Sequence, residues 1–343
     1  MVTARIAGIG AALPPLYTQE QLWEDVFRWH FSRSRVAQRI FTASDVRTRH
    51  SATDPAEFKA VADWSTAERM VRYGEVAPPL GLEAVRNALD AAGTDPDEIG
   101  LLTVVTCTGY RTPGLDIELA RMLPLPADAR RLLIGHTGCH AALPALATAA
   151  DYVAAQEQPA VVLCLELTSL HLQPATIDPG QMVSHALFAD AAAAVVVRPG
   201  ASGLRVVDVA ARTDTDRRHQ MTWDITDLGF RMGLSPEVPD ALAEQVGPLV
   251  KDLLGRHGHD VRDVAAWAVH PGGPRILDAI EEGLELDPSA LAASRKVLAE
   301  HGNCSSATVL LVLQELGPQD GPVVALAFGP GLTLYAALLE PEE

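Results

Sequence analysis

The chain lacks any apolar run long enough to cross a bilayer. Its strongest runs, Ala191–Val197 and Val323–Phe328, are of strand length and well short of the ~20 residues a membrane helix needs. The opening Met1-Val-Thr-Ala-Arg-Ile has neither the charged nor the apolar region of a secretory leader, so none is expected. Only four cysteines occur, Cys107, Cys139, Cys164 and Cys304, with no C-x-x-C pair and too few for a disulfide framework. Reduced thiols in a cytoplasmic protein are the expectation. No low-complexity tract or Gly/Ser linker marks a flexible joint. Basic residues are outnumbered, 27 against 44 acidic ones, and the net charge of −17 argues against general binding to nucleic acid or to anionic membranes. What is present is ordinary globular material: 48% hydrophobic and 21% charged residues over 343 positions, enough for two core-forming units or one large duplicated one.

Short β-branched runs alternate with longer helical patterns. The runs predict strands over Leu101–Thr106, Arg131–Ile134, Ala160–Leu165, Ala191–Val197, Leu204–Ala210, Val264–Val269, Val323–Phe328 and Leu332–Leu338. Helices are expected over Leu80–Ala92, Leu115–Met122, Ala141–Gln156, Pro239–Gly255, Gly273–Gly283, Asp287–Glu300 and Ser305–Leu316. Such alternation predicts an α/β fold with covered sheets. One internal echo stands out. Phe188-Ala-Asp and Phe328-Gly-Pro-Gly are each a small-residue turn before an apolar strand, which suits either a duplicated fold or coincidence.

Three strings can carry chemistry. In Gly135-His136-Thr137-Gly138-Cys139-His140, a strand runs through a small-residue turn into an Ala-rich helix with Pro144 in its first turn. A sulfur at a helix N-terminus favours the thiolate, although a buried structural cysteine is the plainer alternative. His270 ends an apolar strand before Pro271-Gly272-Gly273-Pro274, where α/β proteins concentrate ligand-binding groups. Asn303 follows Gly302 at the opening of a helix, a place for a cap or for a catalytic amide, and Ser305 and Ser306 suit capping equally. Together, a Cys nucleophile with a His and an Asn suits acyl transfer through a stabilised oxyanion. A zinc site at His136, Cys139 and His140 is rejected, because neighbouring positions cannot aim three ligands at one ion. Gly8-Ile-Gly10 starts like a dinucleotide fingerprint but lacks the third glycine and the following helix.

Gly138-Cys139-His140-Ala141, His270-Pro271-Gly272-Gly273-Pro274, Gly302-Asn303-Cys304-Ser305-Ser306 and Phe328-Gly329-Pro330-Gly331 resemble, in order, the motifs of bacterial type III polyketide synthases, the chalcone synthase-like branch of the thiolase superfamily. Leu187-Phe188-Ala189-Asp190 and Ser235-Pro236-Glu237-Val238-Pro239 extend the likeness over residues 5–340. The resemblance implies an α/β thiolase fold of two similar βα halves, divided as 1–203 and 204–343, in a five-layered αβαβα arrangement, and a homodimer. It further implies that Cys139 takes an acyl group from an acyl-CoA starter. His270 and Asn303 would then bind malonyl-CoA, its decarboxylation would give an enolate, and repeated Claisen condensation would precede cyclisation. His270 as an imidazolium would pair with the Cys139 thiolate. No cofactor, metal or obligatory acyl carrier protein is implied beyond the coenzyme A thioesters.

The same resemblance makes Phe188 a gate between the coenzyme A tunnel and the cavity, with Met232 in place of a second gating phenylalanine. Thr168, His171 and Cys107 (or Thr108) would line the cavity, with Pro330 and Ser305 also on the substrate side. His171, larger than usual there, would narrow it. Ala327 stands where a glycine is usual, tolerable if its φ is negative. Coenzyme A phosphates need a basic patch on an acidic protein, and residues 28–50 carry six arginines against one aspartate, with Arg39 and Arg35 as the candidate contacts. A ketosynthase III-type initiation enzyme that uses an acyl carrier protein shares the Cys-His-Asn set. An acidic carrier suits this acidic chain poorly. A catalytically silent scaffold is expected to have lost one of the three residues, and all are present. Starter, extension number and cyclisation mode are open between malonyl-primed resorcinol or naphthalene products and a pyrone from a long acyl starter.

Overall fold

The computed structural model describes residues 2–200 and 202–341. Its strands are β1 (Ala4–Ala12), β2 (Leu16–Thr18), β3 (Thr48–His50), β4 (Leu101–Thr106), β5 (Arg130–Gly135), β6 (Ala160–Glu166), β7 (Ala191–Pro199), β8 (Leu204–Thr213), β9 (Met221–Thr226), β10 (Gly229–Leu234), β11 (Ala266–Val269), β12 (Val323–Gly329) and β13 (Thr333–Glu340). Nine form one mixed sheet in the order β11-β12-β13-β8-β1-β7-β6-β4-β5. The seam between β1 and β8 is only two residue pairs long, Arg5 with Arg205 and Ile6 with Leu204, so the sheet is two half-sheets joined at an edge.

Strand alternation builds the layers. Ala160, Val162 and Cys164 of β6 face one cluster, while Val161, Leu163 and Leu165 face another. In β12, Val323, Ala325 and Ala327 turn inward and Val324, Leu326 and Phe328 outward. Both inward sets meet on the helices Ala142–Gln156 and Thr308–Leu316, which lie between the half-sheets. The helices Thr66–Ala92 and Leu115–Met122 cover the outer face of the first half-sheet, and Val238–Arg256 and Pro274–Leu284 that of the second. This is the five-layered αβαβα arrangement. The internal echo is structural: β7 pairs antiparallel between β6 and β1, as β13 does between β12 and β8.

All eight expected strands form, the sixth starting at Ala266 because Val261–Asp263 makes a 3₁₀ turn. Five strands were not anticipated. β1 (Ala-Arg-Ile-Ala-Gly-Ile-Gly-Ala-Ala) is poor in β-branched residues, and its glycines serve packing. A Cβ on Gly8 would fall 2.5 Å from the Ala88 carbonyl oxygen, and one on Gly10 would fall 2.2 Å from the Ala88 nitrogen, so the glycines let the helix Thr66–Ala92 lie directly on the strand. That helix starts fourteen residues before the expected Leu80, capped by a reciprocal Ser65–Glu68 box, and it runs through Pro78 and Pro79. The helix expected from Asp287 begins at Ala292.

Gly10→Ala forces this strand and helix apart and should destabilise the protein by about 2–3 kcal/mol. Gly255→Ala, in a helix with open space at the Cβ position, should be neutral or stabilising by up to about 1 kcal/mol. Denaturant midpoints of the two variants check the contrast.

Candidate active site

The nucleophile candidate sits where β5 ends. His136 and Gly138 adopt φ of +55° and +91°, folding the chain sharply before the helix Ala142–Gln156. Glycine is required at 138 twice over, since a Cβ there would also meet the Pro330 ring at 2.2 Å. Cys139 is buried at 6% exposure, and its thiol donates to the Ser305 hydroxyl at 3.6 Å. His270 closes β11: its backbone N–H donates to the Leu326 carbonyl at 2.8 Å, while Nδ1 has no partner among the described residues. The Asn303 side chain accepts from the Ser305 N–H at 2.9 Å through Oδ1, which fixes the amide orientation, and Nδ2 donates to the Gly272 carbonyl at 3.3 Å. All three residues line one cavity of about 530 Å³.

Phe188 and Met232 line this cavity and also a second one of about 50 Å³ behind it, as a gate between two chambers would. The inner chamber is small because three rings fill it. His171 stacks on Phe230 at 4.4 Å, and Trp223 stands edge-on to both. Hydrogen bonds lock the group: Trp223 Nε1–H to the Cys107 carbonyl at 2.7 Å, His171 Nε2 to the Thr108 carbonyl at 2.7 Å, and the Phe230 N–H to His171 Nδ1 at 3.0 Å. Thr168 lines the inner chamber, with its hydroxyl on the Ala189 carbonyl at 2.9 Å.

Three expected substrate contacts lie elsewhere. Cys107, Ser305 and Pro330 line neither chamber. The Cys107 sulfur accepts from the Gly138 N–H at 3.1 Å, and Pro330 packs against Gly138, so both brace the turn that carries Cys139. Ser305 reaches the site only through Cys139 and Asn303. Ala327 sits in the extended backbone of β12, facing the central helices, and its methyl is accommodated there. The basic segment also divides: Arg28 pairs with Glu24, Arg47 with Glu300, and Arg49 is buried. Arg35 and Arg39 stay exposed on the helix Arg35–Thr42, whose Ile40 reaches the outer cavity. Arg275, in the first turn of the helix Pro274–Leu284 and overlooked in the sequence, is exposed on the cavity rim. Trp223, Phe230 and Glu166 were likewise not singled out.

Models of the chalcone and stilbene synthases match nearly the whole chain, the N-terminal domain over residues 2–202 and the C-terminal domain over 212–341. The chain belongs to the chalcone and stilbene synthase family. It is 34% identical to a 1,3,6,8-tetrahydroxynaphthalene synthase of Streptomyces peucetius, covering 97% of this chain and 92% of that one. It is 32% identical to the alpha-pyrone synthesis polyketide synthase-like Pks18 of Mycobacterium tuberculosis, covering 88% and 81%. The crystal structure of the tetrahydroxynaphthalene synthase of Streptomyces coelicolor superposes with a TM-score of 0.91 at 28% identity, over 99% of both chains. The type III domain of Steely1 from Dictyostelium gives 0.93 at 27% identity, over 99% of this chain and 100% of that one. The protein is a type III polyketide synthase, an acyltransferase, and these relatives lend no support to the carrier-protein-dependent alternative.

Burial works against the expected ion pair: desolvation pushes the Cys139 thiol up to about 12 and His270 down to about 3, and the thiol is bonded to Ser305. Behind them lies Glu166, fully buried and raised to about 7 by desolvation. It accepts from the Cys107 N–H and the Thr108 hydroxyl, each at 2.9 Å, and from the Ser306 hydroxyl at 2.5 Å.

Desolvation also lowers His140 to about 4 and His171 and His185 to about 3. With His270 these are four imidazoles that the unfolded chain protonates near pH 6.5 and the folded chain does not. The unfolded state therefore binds more protons as pH falls below 6.5. Each histidine then costs up to about 1.4 kcal/mol per pH unit until its folded value is reached. Glu166, raised to about 7, acts in the opposite sense over most of this range and offsets one of the four, and Asp190, raised from its ordinary value, opposes them towards the acid end. Stability should accordingly fall between pH 6.5 and 4, and urea titrations across that range check the slope.

Proposed function

We propose that Cys139 accepts an acyl group from a coenzyme A thioester and that His270 and Asn303 orient malonyl-CoA for decarboxylative condensation. The supporting observation is the convergence of these three residues, from turns far apart in sequence, on the wall of one cavity of about 530 Å³. The Cys139 sulfur attacks the thioester carbonyl, its proton passes to His270, and coenzyme A leaves as the thiol once reprotonated. This route needs no standing ion pair, which fits two groups whose charged forms burial disfavours. In malonyl-CoA, loss of CO₂ leaves an enolate whose oxygen needs donors, and Asn303 Nδ2–H and the His270 ring N–H are the candidates. The enolate carbon attacks the acyl-Cys139 carbonyl and frees the thiolate; the lengthened chain returns to Cys139, and cyclisation gives a product of resorcinol, naphthalene or pyrone type. The central helices start at Ala142 and Thr308, just after the Cys139 and Asn303 turns, so both N-terminal dipole ends favour negative charge at this point. Arg39, Arg35 and Arg275 at the mouth suit the coenzyme A phosphates. Four free buried cysteines suit a reducing compartment such as the cytoplasm.

Purified protein with malonyl-CoA and an acyl-CoA panel should release thiol and give products several acetate units heavier than the starter. Cys139→Ala should abolish extension while the fold stays intact. Asn303→Ala should slow malonyl-CoA decarboxylation about 10²–10³-fold. A product with one extension only, formed solely from a carrier-bound malonyl group, would overturn the reading.

The working unit in this reading is a homodimer. β5 is an edge strand with five of its six residues exposed, Leu132 and Leu133 among them, and Ile117 lies in the neighbouring helix. An apolar edge of this kind calls for a cover, and a second copy of β5 pairing antiparallel supplies one. Leu133→Lys should shift the protein from dimer to monomer in light scattering; an unchanged mass would place the interface elsewhere.

A further inference from the structure

Two arginines are buried near the inner chamber, and they differ in how their donors are satisfied. Arg69 engages every branch of its guanidinium on carbonyl oxygens: Nε on Trp64 at 2.9 Å, Nη1 on Leu170 and on Leu172 at 3.1 Å, and Nη2 on Ala62 at 3.3 Å. Arg49, 5% exposed, places Nη1 on the carbonyls of His185 at 2.6 Å and Phe188 at 2.9 Å, and leaves Nη2 buried with no partner among the described residues. Its guanidinium is lowered only to about 9 by burial and stays charged at neutral pH. The nearest buried carboxylate, Asp190, is already engaged by the Ala52 and Ser169 N–H groups and the hydroxyls of Thr168 and Ser169. A buried cation with a free donor is costly unless something anionic or carbonyl-like reaches it.

Arg49 lines the inner chamber. Ser184, also on that wall and 8% exposed, has a hydroxyl with no hydrogen bond among the described residues. The volume of about 50 Å³ holds roughly three or four waters, or a carboxylate with its adjoining methylene. The way in from Cys139 passes Phe188 and Met232, which border both chambers. The Phe188 carbonyl rests on Arg49 itself, so the free donor lies immediately behind the gate.

Resting on the synthase reading above, we propose that the inner chamber is a subsite for an anionic oxygen at the far end of the acyl group on Cys139, received by Arg49 Nη2 and the Ser184 hydroxyl. The acyl groups it selects are short ones ending in a carboxylate or in the enolised oxygen of a growing polyketide. An alkyl tail would bury a methyl against an unpaired guanidinium and is disfavoured.

The test compares succinyl-CoA with butyryl-CoA as starters, and malonyl-CoA alone, in wild type, Ser184→Leu and Arg49→Lys. Leucine at 184 fills the chamber from a helical position without removing a hydrogen bond, so a folding failure at Arg49 does not decide the matter. Wild type should favour succinyl-CoA about tenfold or more in kcat/KM, and Ser184→Leu, folded by circular dichroism, should lose that preference. Loss of the preference assigns the subsite to the starter. A shorter product from malonyl-CoA alone in Ser184→Leu assigns it to the growing chain. Equal use of the two starters with an unchanged malonyl-CoA product in both variants would overturn the subsite and leave the synthase reading standing. Wild type that releases thiol from no thioester would overturn both.

Discussion

The site depends on a pair of backbone hydrogen bonds between the two halves of the molecule. The Asn303 N–H donates to the Leu187 carbonyl at 2.8 Å, and the Ala189 N–H donates to the Asn303 carbonyl at 2.9 Å. Phe188 lies between Leu187 and Ala189, so the segment that carries it is registered against the segment that carries the Asn303 amide. From the other side Arg49 holds the Phe188 carbonyl, and the Phe188 N–H closes the preceding helix on Ser184. Each such bond contributes only about 1 kcal/mol net, but leaving one of these buried groups unpaired costs more. The Phe188 backbone is therefore fixed, and the freedom left between the two chambers belongs to the Phe188 ring and the flexible Met232 thioether.

That clamp forms because the half-sheets close on a narrow central layer. The helix Ala142–Gln156 presents Ala142, Ala145, Ala149 and Ala150 to the core, and β7 and β12 answer with alanines of their own. Small side chains let sheet and helix approach closely, and close approach brings the ends of β5, β11 and the Gly302 turn to one place. The two central helices then start on the same side, behind Cys139 and behind Asn303. In this way the duplicated fold directs two helix N-termini at one site, a field that offsets part of the desolvation acting on the sulfur.

The layers and the turns that carry Cys139, His270 and Asn303 were legible in the sequence because each is local. A strand that ends in Gly-x-x-Gly-Cys or His-Pro-Gly-Gly-Pro states its own turn, and eight strands with β-branched runs could be placed from composition. The unread parts owe their form to distant partners. β1 reads as a glycine-rich stretch until the helix Thr66–Ala92 lies on it. The hairpin of β9 and β10 carries Asp224, Thr226, Asp227 and Arg231 around its tip, so Trp223 and Phe230 resembled isolated aromatics on a polar loop when in fact they turn inward and fill the inner chamber. Arg49 counted as surface charge in a basic segment, though Phe27 and Phe41 cover it at 5.2 and 5.9 Å from the ring centres. Charge counted along a sequence cannot separate a guanidinium facing solvent from one beneath two phenyl rings.

The distribution of charge about the gate follows from the same burial. On the Cys139 side, burial disfavours the charged forms of Cys139 and His270, and the wall around them is largely apolar, with Val183, Leu187, Met221, Leu234 and Ile276 among its residues and Arg275 kept to the exposed rim. In the proposed reaction a carboxylate leaves as neutral CO₂ and its charge spreads into an enolate, so an apolar chamber with few, aimed donors favours the product side of that step more than a cationic one would. A guanidinium beside the sulfur would stabilise the malonyl carboxylate itself and oppose its loss. The fold keeps Arg49 on the far side of Phe188, where its charge reaches the end of an acyl chain without bearing on the carboxylate that must leave.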